Sequence, residues 1–250
     1  MARVRIRFAK LGKIRWTSHR DTARMWERAF RRAGLPLVWT NGFSPRPKVS
    51  FGLALPTGYE SVSEYLDLEL AAPQPPASAE VDIDALPAIL SLALPPGVDV
   101  LAAAVIDDRG PSLQEEISSC SWRFAVAPAD GTTPITEERL AAEVERVLAA
   151  DSLVVTRKRK GADVTDDIRP SISSLHMAGT TGDGIWLECD LSSRPRSLRP
   201  SELVAAFGPG VEERLVRRLH QWIERDGARW EPLDLPRAAT TAPHAVERAS

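Results

Sequence analysis

The sequence is poor in cysteine, in long apolar runs and in targeting signals. Its two cysteines, Cys120 and Cys189, are too few for a four-cysteine zinc site, a three-cysteine iron–sulfur signature or a disulfide framework. No apolar run approaches the roughly 20 residues of a membrane helix, and the first residues lack the apolar stretch of a signal peptide. We therefore expect a cytoplasmic protein that binds no metal, cofactor or membrane.

Common catalytic signatures are missing as well. The sequence contains no G-x-x-x-x-G-K-[ST], no G-x-G-x-x-G and no G-x-S-x-G, which disfavours NTP hydrolysis, dinucleotide redox chemistry and an α/β-hydrolase serine. Hydrophobic residues make up 43% of the 250 residues, enough to bury a core. This length predicts one large or two ordinary domains.

The charges are unevenly distributed along the chain. Residues 1–50 contain thirteen basic and two acidic residues, a net charge of +11, whereas the other 200 residues contain nineteen basic and thirty-two acidic ones, a net charge of −13. Blocks of one sign are typical of surfaces that bind a partner of opposite charge, here a polyanion. The alternative is a solvated basic face that the acidic remainder balances.

The first elements carry most of these cations. Residues 3–9 alternate between apolar side chains and arginines, which predicts a strand with one buried and one cationic face. Ser18 predicts a helix N-cap, and the helix runs to Ala33, before Gly34. Spacings of four, four and three residues predict a cationic stripe on this helix, formed by Arg20, Arg24, Arg28 and Arg31.

The order of predicted elements is β-α-β-β-α-β in residues 1–106, and a similar order recurs in residues 113–235. After the first helix, the predicted strands are 35–40, 49–55, 63–70, 97–106, 117–127, 153–157 and 185–191. The predicted helices are 81–94, 137–150 and 200–207. Residues 211–226 have helical spacing, although a last strand must come from 211–233. We predict an α+β protein of two tandem ferredoxin-like halves, each an antiparallel sheet with helices on one face. A hairpin loop is inserted at 42–58, and 236–250 form a disordered tail.

We expect the cations of the first strand, the first helix and the proline-rich loop to gather into one uncovered groove that binds an RNA backbone. Exposed aromatic side chains there would stack unpaired bases, Phe43 being the best candidate, with core packing as the alternative. The candidate RNA-binding residues are Arg5, Arg7, Lys10, Arg15, His19, Arg20, Arg24, Phe43, Arg46, Lys48 and Ser50.

Two further groups of residues have both a functional and a structural interpretation. His19, at the start of the first helix, would act as a general acid or base near a phosphodiester, or it is simply structural. A second site in the other half would use Lys158, Lys160, Asp167 and Arg169. The alternative for that segment is an internal ion-pair clasp.

Three segments carry a resemblance to a known family. They are residues 5–21 (R-x-R-F-x-K-x-G-x-x-R-W-x-S-H-x-D), 42–52 (G-F-S-P-R-P-K-V-S-F-G) and 167–170 (D-I-R-P). They resemble the radical-SAM-linked protein family, an uncharacterised bacterial family whose members occur alone or fused to cobalamin-binding radical-SAM proteins. The resemblance implies work with a separately encoded radical-SAM enzyme and implies no activity of its own. The paired ferredoxin-like pattern is also similar to CRISPR-RNA-processing endoribonucleases, by fold alone.

Three hypotheses follow. The first is an RNA-binding accessory protein, not itself an enzyme, that presents a tRNA or ribosomal RNA to a radical-SAM modifying enzyme. The second is a metal-independent endoribonuclease in which His19 acts with Lys10 or Arg15. The third is an adaptor whose basic face docks on an acidic patch of the radical-SAM partner without touching RNA.

Overall fold

The structure is a computed structural model that describes residues 1–72, 80–106, 111–131, 135–159, 161–182 and 184–234. Its helices are α1 (His19–Arg32), α2 (Leu86–Ala93), α3 (Leu113–Glu116), α4 (Glu137–Ala149) and α5 (Pro200–Ala205). Its strands are β1 (Ala2–Lys10), β2 (Val49–Phe51), β3 (Glu60–Leu70), β4 (Val98–Ile106), β5 (Ile117–Pro128), β6 (Val154–Arg159), β7 (Ala162–Asp167), β8 (Ile172–Thr181), β9 (Gly184–Ser192), β10 (Val211–Arg225) and β11 (Ala228–Trp230). Mixed α and β content with a mostly antiparallel sheet is confirmed.

Within these ranges, nine strands form one sheet in the order β4-β1-β3-β10-β5-β9-β8, with β2 beside β3 and β11 beside β10. All neighbours are antiparallel except β3 and β10, which pair in parallel at Glu60 with Arg217 and at Ser61 with Arg218. The two halves therefore share a single sheet, whereas the sequence predicted two, and this short parallel pairing joins them.

Helix α1 forms where the sequence predicts it. The Ser18 Oγ accepts a hydrogen bond from the Asp21 N–H at 3.2 Å, an N-cap that satisfies one free donor of the first turn. Trp26 and Phe30 are buried on its inner face and pack with Phe8 of β1 in the first-half core. The second half has its own core, which α4 and α5 cover. The arginines of α1 are consequently left on the side that faces away from the sheet.

Some predicted elements are wrong. The strand predicted at 35–40 reduces to isolated bridges at Leu37 and Trp39, and the helix predicted at 81–94 reduces to α2. The helical spacing of 211–226 belongs to β10, a strand whose pairing with β5 is shifted at three places. Because each shift moves the apolar positions to the other face, the strand acquires an apolar spacing that resembles a helix. The tail predicted at 236–250 lies outside the described residues.

Candidate nucleic-acid interface

The arginines of β1 are engaged by carboxylates on the face opposite α1. Arg5 is buried and donates two hydrogen bonds to Asp67, from Nε at 2.7 Å and from Nη2 at 3.0 Å. Arg3 donates to the same carboxylate at 2.8 Å. Arg7 forms an ion pair with Glu231 at 2.5 Å. These guanidinium groups are tied to carboxylates of other segments and present little free charge to a ligand.

Lys10 and Arg15 are engaged as well, at the end of β1. The buried Lys10 Nζ donates to the Thr17 carbonyl at 3.0 Å, and burial lowers its pKa, an effect that the charge of Glu64 partly offsets. Arg15 lies 3.4 Å from the Glu60 carboxylate. The expectation of one uncovered groove is therefore wrong: the cations lie on both sides of the sheet, and those of β1 are neutralised.

The arginine stripe of α1 (Arg20, Arg24, Arg28 and Arg31) is exposed to solvent. Arg24 lies 3.6 Å from the Asp21 carboxylate, and both side chains are more than half exposed, so this pair is weak. Among the residues that the structure describes, no carboxylate lies within 4 Å of the other three guanidinium groups. The stripe is therefore a row of cations available to a polyanion.

A cationic arm, residues 38–48, extends the same half of the molecule. Its two sides are joined by hydrogen bonds from the Thr40 N–H to the Arg46 carbonyl and from the Lys48 N–H to the Val38 carbonyl, both 2.8 Å. Phe43 at the tip is fully exposed, which removes core packing as its role. Arg46 is exposed, whereas Lys48 lies 3.1 Å from Glu69.

The segments on either side of the arm contact the two ends of α1. At its base, the Leu35 N–H donates to the Phe30 carbonyl at 3.2 Å. Beyond it, the ring of Phe51 in β2 meets the ring of His19 edge-on, with centroids 5.4 Å apart. Ser50 is exposed on the same strand, beside an open depression that Lys48 and Arg3 also line. The arm is thus connected through Leu35 and Phe51 to the helix that carries the arginine stripe and His19, whereas Arg5 and Arg7 are held by Asp67 and Glu231.

His19 also lines a small cavity with Lys10 and Glu64. The cavity measures about 20 Å³, room for one water molecule. Glu64 is buried, and burial raises its pKa despite the Arg218 guanidinium 2.9 Å away. Lys10 and Arg15 are both held by other groups of the protein, Lys10 by the Thr17 carbonyl and Arg15 by the Glu60 carboxylate.

An open cleft lies where β3 and β10 diverge, at the junction of the two halves. Its volume is about 440 Å³, and Trp16, Gly58 and Tyr59 line it on one side and Glu213 and Leu215 on the other. Burial raises the pKa of Tyr59 to about 12, and its hydroxyl donates to Glu213 at 3.2 Å. Sequence reasoning missed this cleft because it depends on β10, for which the spacing indicated a helix.

The second-half candidates have structural partners. The Asp167 carboxylate accepts hydrogen bonds from the N–H groups of Leu153, at 2.8 Å, and Arg169, at 3.0 Å, and these bonds lower its pKa. Arg169 donates to the Leu148 carbonyl at 3.0 Å. Lys158 is exposed on β6, and Lys160 lies outside the described residues. The segment thus ties α4 to β6 and β7, and its aspartate and arginine act on backbone groups.

Metal-binding clusters and membrane-spanning helices are absent from the part of the chain that the structure describes. Across these ranges, no group of three or more His, Cys, Asp or Glu side chains is placed to hold a metal ion. Of the helices in the same ranges, none has the length and apolarity needed to cross a membrane.

Residues 3–200 match the sequence model of a family described as "Uncharacterized protein conserved in bacteria (DUF2344)". No curated protein matches the chain. Among solved structures, it is similar to a Cbf5-Nop10-Gar1 complex (TM-score 0.48, 9% identity, 87% of this chain and 48% of that chain). It is also similar to an archaeal box H/ACA sRNP Nop10-Cbf5 complex (TM-score 0.44, 10% identity, 86% of this chain and 46% of that chain). A third similar structure is an H/ACA RNP bound to a substrate RNA containing 2'-deoxyuridine (TM-score 0.44, 10% identity, 87% of this chain and 47% of that chain). The chain thus spans about half the length of the chains it matches, and likeness at this level assigns no function.

Proposed function

The chain belongs to the bacterial family DUF2344, and from its own surface we propose that it binds single-stranded RNA as an accessory protein, not as an enzyme. One observation carries the proposal: the arginine stripe of α1 is exposed, and three of its four guanidinium groups have no carboxylate within 4 Å in the described part of the chain. The stripe would hold phosphates, and the exposed ring of Phe43 would stack on a base.

Salt dependence tests this proposal. We would measure the binding of a labelled 12-nucleotide oligouridylate by fluorescence anisotropy at increasing salt. The slope of the logarithm of the binding constant against the logarithm of the salt concentration reports the number of neutralised phosphates. For a single strand, each phosphate that the protein no longer neutralises should reduce the magnitude of this slope by about 0.7. Arg28→Gln should therefore flatten the slope by about this amount. Arg139→Gln, on the exposed surface of α4, is the matched control and should leave it unchanged; no binding at low salt would refute the proposal.

We also propose that a separately encoded radical-SAM enzyme is the partner, on the sequence resemblance of residues 5–21 and 42–52 alone. Co-purification of the two proteins would be compared before and after nuclease treatment. Loss of co-purification after nuclease treatment would indicate that RNA links the two proteins. Retention, with no RNA affinity of the isolated chain, would favour the adaptor hypothesis instead.

Two tandem ferredoxin-like halves, at 1–106 and 113–235, remain our interpretation of the architecture. The strand order β4-β1-β3-β2 in the first half and β10-β5-β9-β8 in the second supports it, because both place the first strand between the third and the last. Cleavage of RNA by His19 lacks comparable support, since Lys10 and Arg15 are engaged elsewhere.

A further inference from the structure

The cleft between β3 and β10 contains an aromatic side chain held in a fixed place. Trp16 is 64% exposed although it is a large apolar residue. Its six-membered ring lies against the backbone of Gly58, whose N–H donates to the Arg15 carbonyl at 2.8 Å. A Cβ on Gly58 would come within 2.8 Å of Trp16 Cζ3, so only glycine permits this approach. The Arg15 guanidinium lies over the indole, 5.4 Å from the ring centroid, so Gly58 and Arg15 position the ring while most of its surface stays open.

The other side of the cleft is built on an irregular strand. Leu215 of β10 has a φ of 50° and is 42% exposed. It lies where the pairing of β10 with β5 shifts between Arg214 and Arg217. A left-handed, non-glycine residue at a bulge is costly to keep, and such sites occur beside binding sites more often than elsewhere. Leu215 thus adds apolar surface facing the cleft, opposite the segment that carries Trp16.

The charges of the cleft indicate which part of a nucleotide it accepts. Arg15 and Arg214 line it together with Glu60 and Glu213. Arg15 is paired with Glu60, and Arg214 lies 2.6 Å from Glu212. A phosphate would meet these carboxylates, whereas an uncharged ring would not. The cleft is also within the size range of small-ligand sites.

We propose that the cleft receives an unpaired nucleobase of the bound RNA, which stacks on Trp16. This inference rests on the proposed RNA-binding function: the arginine stripe would hold the backbone, and the cleft would take a base. It assigns a role to Trp16, Gly58 and Leu215 that the cationic surface does not require.

A double-mutant cycle, in which one change is made in the protein and the other in the RNA probe, tests the inference. The probes are a 12-nucleotide oligouridylate and a 12-unit abasic ribose-phosphate chain. The base-dependent affinity is the dissociation constant of the abasic chain divided by that of the oligouridylate. Trp16→Leu keeps an apolar side chain on Gly58 but removes the ring, and it should reduce this ratio about 5- to 100-fold. Trp16→Phe should retain most of it. Leu92→Ala, on the exposed surface of α2, is the control.

A direct readout accompanies the cycle. The indole Nε1 resonance of Trp16, assigned by its loss in Trp16→Leu, should shift when the oligouridylate is added. If the oligouridylate binds but this resonance does not move and the ratio is unchanged, the cleft does not receive a base, and RNA binding by α1 still stands. If neither probe binds to the wild-type protein, both proposals fail. Melting curves of Trp16→Leu separate loss of stacking from loss of folding.

Discussion

Arg5 and Asp67 form a two-point ion pair inside the sheet, with Nε–Oδ1 and Nη2–Oδ2 distances of 2.7 and 3.0 Å. Their side chains are 4% and 3% exposed. The third nitrogen of Arg5 donates to the Pro232 carbonyl at 3.1 Å, so the pair connects β1, β3 and the end of the described chain. A cation that the sequence places on a ligand-binding face therefore serves the fold.

Removal of one member of this pair should be severely destabilising. Asp67→Asn removes the charge that pairs closely with the buried Arg5 guanidinium and leaves only the Glu116 carboxylate, 3.8 Å away, so we expect the free energy of unfolding to fall by about 3–5 kcal/mol. Urea unfolding at pH 7 measures it. Asp21→Asn, which alters an exposed pair with Arg24, should cost less than about 1 kcal/mol. Equal effects of the two changes would contradict the structural role of Asp67.

The Glu60 carboxylate should make stability depend on pH. Burial raises the pKa of Glu60, but hydrogen bonds from Arg217 and from the Gly12 N–H outweigh burial and lower it overall. Because the folded pKa lies below the unfolded value of about 4.3, ionised Glu60 stabilises the protein above that pH. This contribution is lost as the pH falls through the folded value.

Glu60→Gln should accordingly lower the free energy of unfolding at pH 7, by about 2 kcal/mol for hydrogen bonds to a charged group. The difference from the wild type should shrink steadily from pH 5 to pH 3. Urea unfolding across this range provides the measurement, with Glu224→Gln as an exposed control. A difference that is constant with pH would show that Glu60 acts through shape alone.

Gly58 should be more sensitive to substitution than Gly227, which also has a positive φ. Gly227 has a φ of 73°, and no described atom lies within 4 Å of the position that a Cβ would take, so Gly227→Ala should cost about 1 kcal/mol from backbone strain. Gly58, with a φ of 90°, adds the clash with Trp16, and Gly58→Ala should cost a further ~1–3 kcal/mol. Thermal unfolding of the two variants measures these costs. Only Gly58→Ala should move the Trp16 indole resonance.

Phe43 should affect RNA binding without affecting stability. Since the ring is fully exposed, Phe43→Ala should change the free energy of unfolding by less than about 0.5 kcal/mol. The affinity for oligouridylate should fall by about 1–3 kcal/mol if the ring stacks on a base. Leu92→Ala removes a similarly exposed apolar side chain from α2 and should leave both quantities unchanged. An unaltered affinity in Phe43→Ala would exclude stacking at the arm tip.

The sequence predicted β1, α1 and the exposure of the arginine stripe correctly, because alternation, capping and helical spacing are properties of neighbouring residues. The order of elements predicted a last strand within 211–233, but the helical spacing of 211–226 hid its position at β10, and the sequence did not predict the cleft. The three shifts in the pairing of β10 arise in its contact with β5. They replace the two-residue period of apolar side chains, which is typical of a strand, by an irregular spacing. The left-handed Leu215 gives no signal in the sequence, because leucine carries no preference for that conformation.

By itself, then, the sequence determined which segments are strongly cationic and which of their side chains share a strand face or a helix face. Only the tertiary structure decided which cations stay free. The carboxylates that neutralise Arg15, Arg5 and Arg7 lie 45, 62 and 224 residues further along the chain. Such pairs depend on how the strands are arranged in the sheet. The stripe on α1 stays free because the helix packs its apolar side on that sheet and turns its arginines to water.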